Sequence, residues 1–286
     1  MSRAWQARAP LVAATPAGIE WWHASTSPDP LEVHLRLWSD DGEDVAWTWH
    51  DADEIEWHVW TGHPGRDAAV FRTILETAIR GGGARPIGTF TAEDDPATID
   101  VLVDLGFVPA DRRLSQFQWS PDRDAAPPAV GVPEGYRIRP LAGADEIRAR
   151  VEVHRAAFAP SRLTVEKYER LFTLPHFRPE DDLLVEAPDG SLAAFAMAWW
   201  DPDGRVGEFE PVGTHPDHQR KGLSRALLAW GLRRYAKRGA RLVQVYSHAT
   251  NQASEALYEA VGFRRRAFHR RYERPGGPEP DLQSGP

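Results

Sequence analysis

Two neighbouring stretches of this chain carry side chains whose types and spacing suit chemistry. The first is Val212-Gly213-Thr214-His215-Pro216-Asp217-His218-Gln219-Arg220-Lys221-Gly222-Leu223-Ser224. An apolar strand end runs through a turn at Pro216 into a basic, glycine-containing loop and then into a helix. Leu223, Leu227 and Trp230 fall at helical spacing and give that helix one apolar face. The loop is suited to phosphate. Gly222 lets main chain approach a ligand closely. The first N–H groups of a helix lack internal partners and stand at the positive end of its dipole. A pyrophosphate is a natural occupant, and Arg220, Lys221 and Arg225 add charge. The second stretch is the strand leading into the loop, with Glu208 and Glu210 two residues apart. At a period of two they share one face, and the same period places Val212 there. Partial burial raises a carboxyl pKa and suits such a group to act as a base on an alkylammonium.

Downstream, Leu242-Val243-Gln244-Val245-Tyr246 reads as a buried strand. It leads to Asn251-Gln252-Ala253-Ser254-Glu255-Ala256-Leu257-Tyr258-Glu259-Ala260-Val261-Gly262-Phe263, a short helix closed by Gly262. Together these runs resemble the GCN5-related N-acetyltransferases, the GNAT superfamily. The family's coenzyme loop is Gln or Arg, two residues, Gly, one residue, then Gly or Ala. Gln219, Gly222 and Ser224 occupy those places. Ser224 departs from the pattern: its side chain narrows the loop, while its hydroxyl can donate to a phosphate. Asn251, Tyr258, Gly262 and Phe263 match the family's usual ending.

The resemblance implies direct acetyl transfer from acetyl-CoA, as co-substrate and without a metal, to an amine. The amine must be deprotonated and the leaving thiolate protonated or stabilised. Residues 219 to 225 (Gln219, Arg220, Lys221, Gly222, Leu223, Ser224, Arg225) are implied to bind the pyrophosphate. Val212, Gly213 and Thr214 are expected to splay from the next strand, because Gly213 weakens pairing, and to offer freed N–H groups to the thioester carbonyl. Asn251, Ser254 and Tyr258 are implied to line the pantetheine arm and thiol, with Tyr258 as general acid. Glu208 and Glu210 are both candidate bases. Glu208 ranks slightly first, because it follows Gly207 where the mycothiol-synthase-like tandem branch of the family places its acid.

Composition narrows the class further. At 286 residues the chain accommodates two domains. A net charge of -8 argues against a nucleic-acid-binding protein. Residues 264 to 274 hold six arginines and one acid, either a solvated strand or part of an anion-binding rim. With no cysteine there is no disulfide, thiolate metal site or cysteine nucleophile. No apolar run approaches the ~18 residues of a membrane helix, and no apolar signal region opens the chain, so a cytoplasmic location is expected. His215 and His218 flank a turn with no further ligands nearby, which speaks against a metal. Several of the twelve tryptophans cluster, at Trp21-Trp22, Trp47, Trp49, Trp57, Trp60 and Trp199-Trp200. They suit a core or an interface, and one of the last pair can wall an acceptor amine.

The pattern predicts an α/β fold of two tandem GNAT-like domains around mixed sheets. Residues 136–273 form the catalytic domain, after a linker over 120–135 rich in Pro and Ala and before a disordered tail at 274–286. Its expected order is a strand, two helices (145–158 and 164–174), three strands, helix, strand, helix and strand. Residues 1–119 repeat the later part. Placing Phe263 over Phe107, an offset of 156, sets Gly262 over Gly106 and Ala240-Arg241 over Ala84-Arg85. The chemistry is not kept: His63 replaces Gln219, Arg66 replaces Gly222, Asp95 replaces Asn251 and Leu102 replaces Tyr258. The first domain is therefore expected to be degenerate. The leading function is N-acetylation of a primary amine on a small molecule or peptide, by a monomer or homodimer with no nucleic-acid or membrane partner. The alternatives are a non-catalytic acyl-CoA-binding or regulatory module and a coenzyme-independent interaction protein.

Overall fold

The repeat in the sequence becomes a pseudo-two-fold axis in one mixed sheet. The computed structural model describes residues 15–26, 29, 34–51, 56–61, 67–82 and 86–276. The first half contains α1 (Pro16–Thr26), β1 (Leu35–Asp40), β2 (Glu43–Asp51), β3 (Glu56–Thr61), α2 (Asp67–Gly82), β4 (Ile87–Ala92), α3 (Pro96–Asp104) and β5 (Val108–Trp119). The second contains β6 (Arg137–Pro140), α4 (Ile147–Ala157), α5 (Val165–Glu169), β7 (Asp182–Glu186), β8 (Leu192–Asp201) and β9 (Val206–Thr214). It continues through α6 (Leu223–Lys237), β10 (Leu242–His248), α7 (Gln252–Val261) and β11 (Arg264–Arg274).

The strand order is β1-β2-β3-β4-β11-β5-β10-β9-β8-β7-β6. Each half has given its last strand to the other. β5 runs antiparallel beside β10, and β11 runs antiparallel beside β4. β5 and β11 pair with each other at the centre, where Arg113↔Arg270 and Leu114↔His269 change places under the shift of 156. The arginines of β11 make ion pairs, and that to Glu93 crosses between the halves. Arg270 pairs with Glu93, Arg265 with Glu255, and Arg264 with Asp124. The strand is central in the sheet, with these arginines answered by carboxylates.

The sequence did not reveal α1, β1 or β2. The expected helix over 164–174 stops early: Thr164 caps α5 by accepting from Lys167 N at 3.2 Å, but residues 170–173 tighten into a 3₁₀ turn before Pro175. The 120–135 connection is tied to the second half, with Arg233 donating to the carbonyls of Pro127 and Pro128. His63 and Arg66 lie outside the described residues, as do residues 277–286. At the other repeat positions, Asp95 still caps its helix by accepting from Thr98 N, as Asn251 does from Ser254 N. Leu102 is core. The structural half of each residue's work survived the repeat.

Two apolar layers sandwich the second half's strands. Leu223, Leu227, Leu232 and Tyr258 of α6 and α7 pack on one face, with Phe209 and Ala196. α1, α4 and α5 cover the other through Ala17, Trp21, Ile147, Val151 and Tyr168, with Phe195 and Trp199. Trp199 and Trp200 alternate between these layers, as strand period requires. The helix at the start of the chain thus sits on the strands of the second half. No helix among the described residues is long and apolar enough to cross a membrane.

Candidate active site

The site opens where β9 leaves β10. Their parallel ladder runs from Val206↔Leu242 to Phe209↔Val245 and stops. β9 stays paired with β8 as far as Thr214, with one irregularity: Phe209 opposes Ala198 and Val212 opposes Ala196. Glu210 and Pro211 therefore stand against Met197 alone, a β-bulge that bends the strand away. Pro211 has no N–H to offer a ladder.

The bulge also shifts the alternation by one residue. Glu208 and Glu210 face α1, but Val212 packs with the α6–α7 layer. The expectation that Val212 shares the acids' face is corrected, because period-two counting fails across an inserted residue. Gly213 has a different role from the expected one. It pairs normally with Phe195, and a Cβ there would lie 2.4 Å from the Phe195 ring and 3.0 Å from Ala157. Glycine is needed for space, and the splay follows from the bulge.

A cavity of about 460 Å³ fills the opening. Glu208, Glu210 and Val212 of β9, Tyr246 of β10, the cap residue Asn251, and Ser254 and Tyr258 of α7 line it from the second half. Trp49, Phe90, Arg112 and Leu114 line it from the first, and Trp21 and Trp22 of α1 close it over the acids. The sequence allowed Trp199 or Trp200 to wall an acceptor, but neither lines this cavity; its tryptophans are Trp21, Trp22 and Trp49. Trp199 is core, its indole N–H donating to the Glu210 carbonyl at 2.7 Å. The Trp21-Trp22 doublet was conspicuous in the sequence, but nothing there located it over strand β9.

The two carboxylates have different surroundings. Glu208 is 1% exposed and accepts from Thr15 N at 2.8 Å. Burial pushes its pKa up to about 7. Glu210 is half-buried on the cavity wall, where the Trp22 indole N–H donates to both carboxylate oxygens at 3.3 Å. Burial and then the Glu208 charge push it up to about 8. Tyr258 is buried, its hydroxyl donating to the Tyr246 carbonyl at 3.5 Å. Burial and the Glu210 charge hold the phenol above its ordinary value, so it keeps its proton.

One consequence is a stability that depends on pH. A buried carboxyl with a raised pKa favours folding while protonated, and that advantage is lost as pH rises from the unfolded value to the folded one. Glu208→Gln keeps an acceptor for Thr15 N without the charge. It should raise the melting temperature at pH 8.5 and leave it nearly unchanged at pH 4. The gain is bounded by about 3 kcal/mol for a pKa moved from 4.5 to about 7. An equal gain at both pH values would mean that ionised Glu208 carries no burial penalty.

The basic loop sits beyond the mouth of the splay. Gly222 caps α6 in the left-handed region, φ 77°, with no atom within 4 Å of a Cβ placed there. Arg220 is also left-handed, φ 61°. The first helical bond runs from Ala226 N to the Gly222 carbonyl, which leaves the amides of Leu223, Ser224 and Arg225 to the loop. The Leu223 side chain is core, so only its main chain serves the loop. The Ser224 hydroxyl bonds the Thr214 hydroxyl and ties the loop to the end of β9. Lys221 reaches Tyr136 OH at 2.8 Å, and that hydroxyl also meets His218. Gln219, Arg220 and Arg225 are exposed. This open, cationic turn of unpaired amides fits a diphosphate. His215 and His218 belong to no cluster able to hold a metal among the described residues.

Known proteins resemble this chain in sequence and in fold. Residues 149–263 match the model of the acetyltransferase (GNAT) family. A mycothiol acetyltransferase from Kineococcus radiotolerans is 33% identical over 229 residues, 78% of this chain and 72% of that one. Another from Kocuria rhizophila is 29% identical, over 71% of this chain and 75% of its own. Among solved structures, a GCN5-related N-acetyltransferase from Sphaerobacter thermophilus superimposes with a TM-score of 0.68 at 20% identity, covering 98% of this chain and 91% of its own. A tandem GNAT protein from the clavulanic acid biosynthesis pathway gives 0.63 at 17%, covering 98% and 96%. With its splayed strands, its loop at the start of α6 and a relative one-third identical over most of both chains, this protein belongs to the GNAT family and is an N-acetyltransferase of the tandem type.

Proposed function

We propose that the protein transfers the acetyl group of acetyl-CoA directly to a primary amine on a small molecule or peptide, in the cytoplasm, and that residues 136–273 carry the chemistry. One observation carries this reading: Glu210 and Tyr258 line a single cavity at the splay, and β9, which forms its wall, ends at Thr214 beside Ser224 of the residue 219–225 loop. The loop amides, with Arg220 and Arg225, would hold the diphosphate, and Asn251 and Ser254 border the thiol end. The amides of β9 beyond the bulge have lost their β10 partners and face the place where a thioester carbonyl would lie. Glu210 is the base. Both acids line the cavity, but Glu210 is the more exposed and has a pKa near that of the task, whereas Glu208 is almost wholly buried under Thr15 and acts by its charge. Glu210 takes the ammonium proton, the free amine attacks the carbonyl, Tyr258 gives its proton to the departing thiolate as the C–S bond breaks, and the second proton of the acylated nitrogen returns to the Tyr258 oxygen. The first domain, residues 1–119, binds no coenzyme in this reading. The named relatives are mycothiol acetyltransferases, which makes amines of thiol-cofactor synthesis one class to test.

The test is thiol release from acetyl-CoA against glucosamine, cysteinyl amines, tyramine, spermidine and alanyl-alanine, with calorimetric titration by CoA. One amine should raise thiol release at least about a hundredfold over water, given what positioning and general-base catalysis supply. CoA binding without turnover on any amine would favour the non-catalytic module, and no heat at millimolar CoA would reject both.

A further inference from the structure

We propose that Trp22, carried on α1 at the start of the chain, is a positioning residue for Glu210: its indole N–H fixes the carboxylate at the mouth of the splay. This rests on the reading of Glu210 as base.

Glu210 is held at its main chain and at its side chain. Its main-chain carbonyl accepts from Trp199 Nε1 of β8 at 2.7 Å, and its side chain accepts the Trp22 indole N–H at 3.3 Å to each oxygen. The donor is shared evenly, so it sits between the oxygens and limits rotation of the carboxylate plane. The indole is itself held. Its ring meets Trp49 of β2 edge-on at 6.1 Å, and Trp49 stacks on His34 at 5.1 Å. His34 Nδ1 in turn bonds the His50 carbonyl at 2.9 Å. Strand β2 of the first half thereby braces the donor.

The register of α1 is set by the second half. Thr15 N meets Glu208, Glu20 meets His176 N at 3.0 Å and His176 Nδ1 at 2.6 Å, and Arg170 bonds the Ala24 carbonyl. A tryptophan that served packing alone would not need its one polar atom on a carboxylate. An N–H donated to the ionised form favours that form against the burial that opposes it. The first half thus has a part in the chemistry although it lacks the coenzyme loop.

The titratable and charged groups facing Glu210 are Glu208 on its own strand, Tyr246 and His248 on β10, Tyr258 on α7, Arg112 on β5 and His269 on β11. Of these, Glu208 raises the Glu210 pKa, and His269 is held neutral by burial, at about 4. Arg112 lies over Phe90.

The experiment is a pH titration of the full chain labelled with ¹⁵N-tryptophan, in which Trp22→Phe identifies the Trp22 indole signal and keeps a ring against Trp49. That signal should move with a midpoint near 8, go flat in Glu210→Gln and move at a lower midpoint in Glu208→Gln. In Trp22→Phe the acid limb of thiol release, followed with the most reactive amine of the panel, should rise by about one pH unit, a tenfold change in proton affinity. The KM for acetyl-CoA should not change. A Trp22 signal flat with pH, together with lost turnover in Glu210→Gln, overturns the role of Trp22 and leaves the base standing. Full turnover in Glu210→Gln overturns the base, and the positioning role with it.

Discussion

Glu210→Gln is expected to lower kcat by about two to three orders of magnitude and to leave the KM for acetyl-CoA within about twofold, the pattern for losing a general base and little ground-state binding. The substitution preserves volume and an acceptor for the Trp22 N–H, so the cavity wall persists. Only proton uptake is lost. In the unaltered protein kcat/KM should rise with pH, because the base must be ionised, and should level off above the raised value of about 8. Glu208→Gln makes a contrasting arm. It removes the neighbouring charge that raises Glu210, so the acid limb should move to lower pH while much of the turnover remains. The opposite outcome, an inactive Glu208→Gln and an active Glu210→Gln, would reverse the two roles.

Gly222→Glu should abolish measurable CoA binding, a loss of at least about a hundredfold. Two causes add: a carboxylate set where a diphosphate must approach, and the strain of a side chain in the left-handed region, about 1–2 kcal/mol. The φ of 77° and the empty space around a Cβ make the position informative. Gly222→Ala meets no protein atom there and carries only the strain. It should weaken CoA by no more than about thirtyfold, since 1.4 kcal/mol is a factor of ten. Calorimetric titration of both variants separates charge and bulk from backbone cost. Equal, near-normal affinity in both would remove the loop from the coenzyme site.

Most of the architecture was written in local pattern. The elements from β3 onward follow from alternating apolar strands, helical spacing and turn residues, and the strand Val206–Thr214 and helix Gln252–Val261 appear at the expected residues. Those signals are local, and so they survive in a single sequence. α1 escaped because Pro16–Thr26 has little polar contrast around its axis: Trp21 enters the core while neighbouring Trp22 faces the cavity. The bulge at Glu210–Pro211 escaped because the same residues with regular pairing would read identically. Its effect was to move Val212 to the other face and to place the acids where the strands part.

The sequence by itself determined the order of elements from β3 onward, the internal repeat and the family, because each rests on local patterns of residues close in the chain. The tertiary structure decided that the halves exchange β5 and β11, which helix roofs the acids and which carboxylate is the more exposed. Those outcomes depend on partners far apart in sequence: 193 residues separate Thr15 from Glu208, and 188 separate Trp22 from Glu210. The desolvation that tunes the two carboxylates belongs to that packing, and no spacing of residues along the chain encodes it.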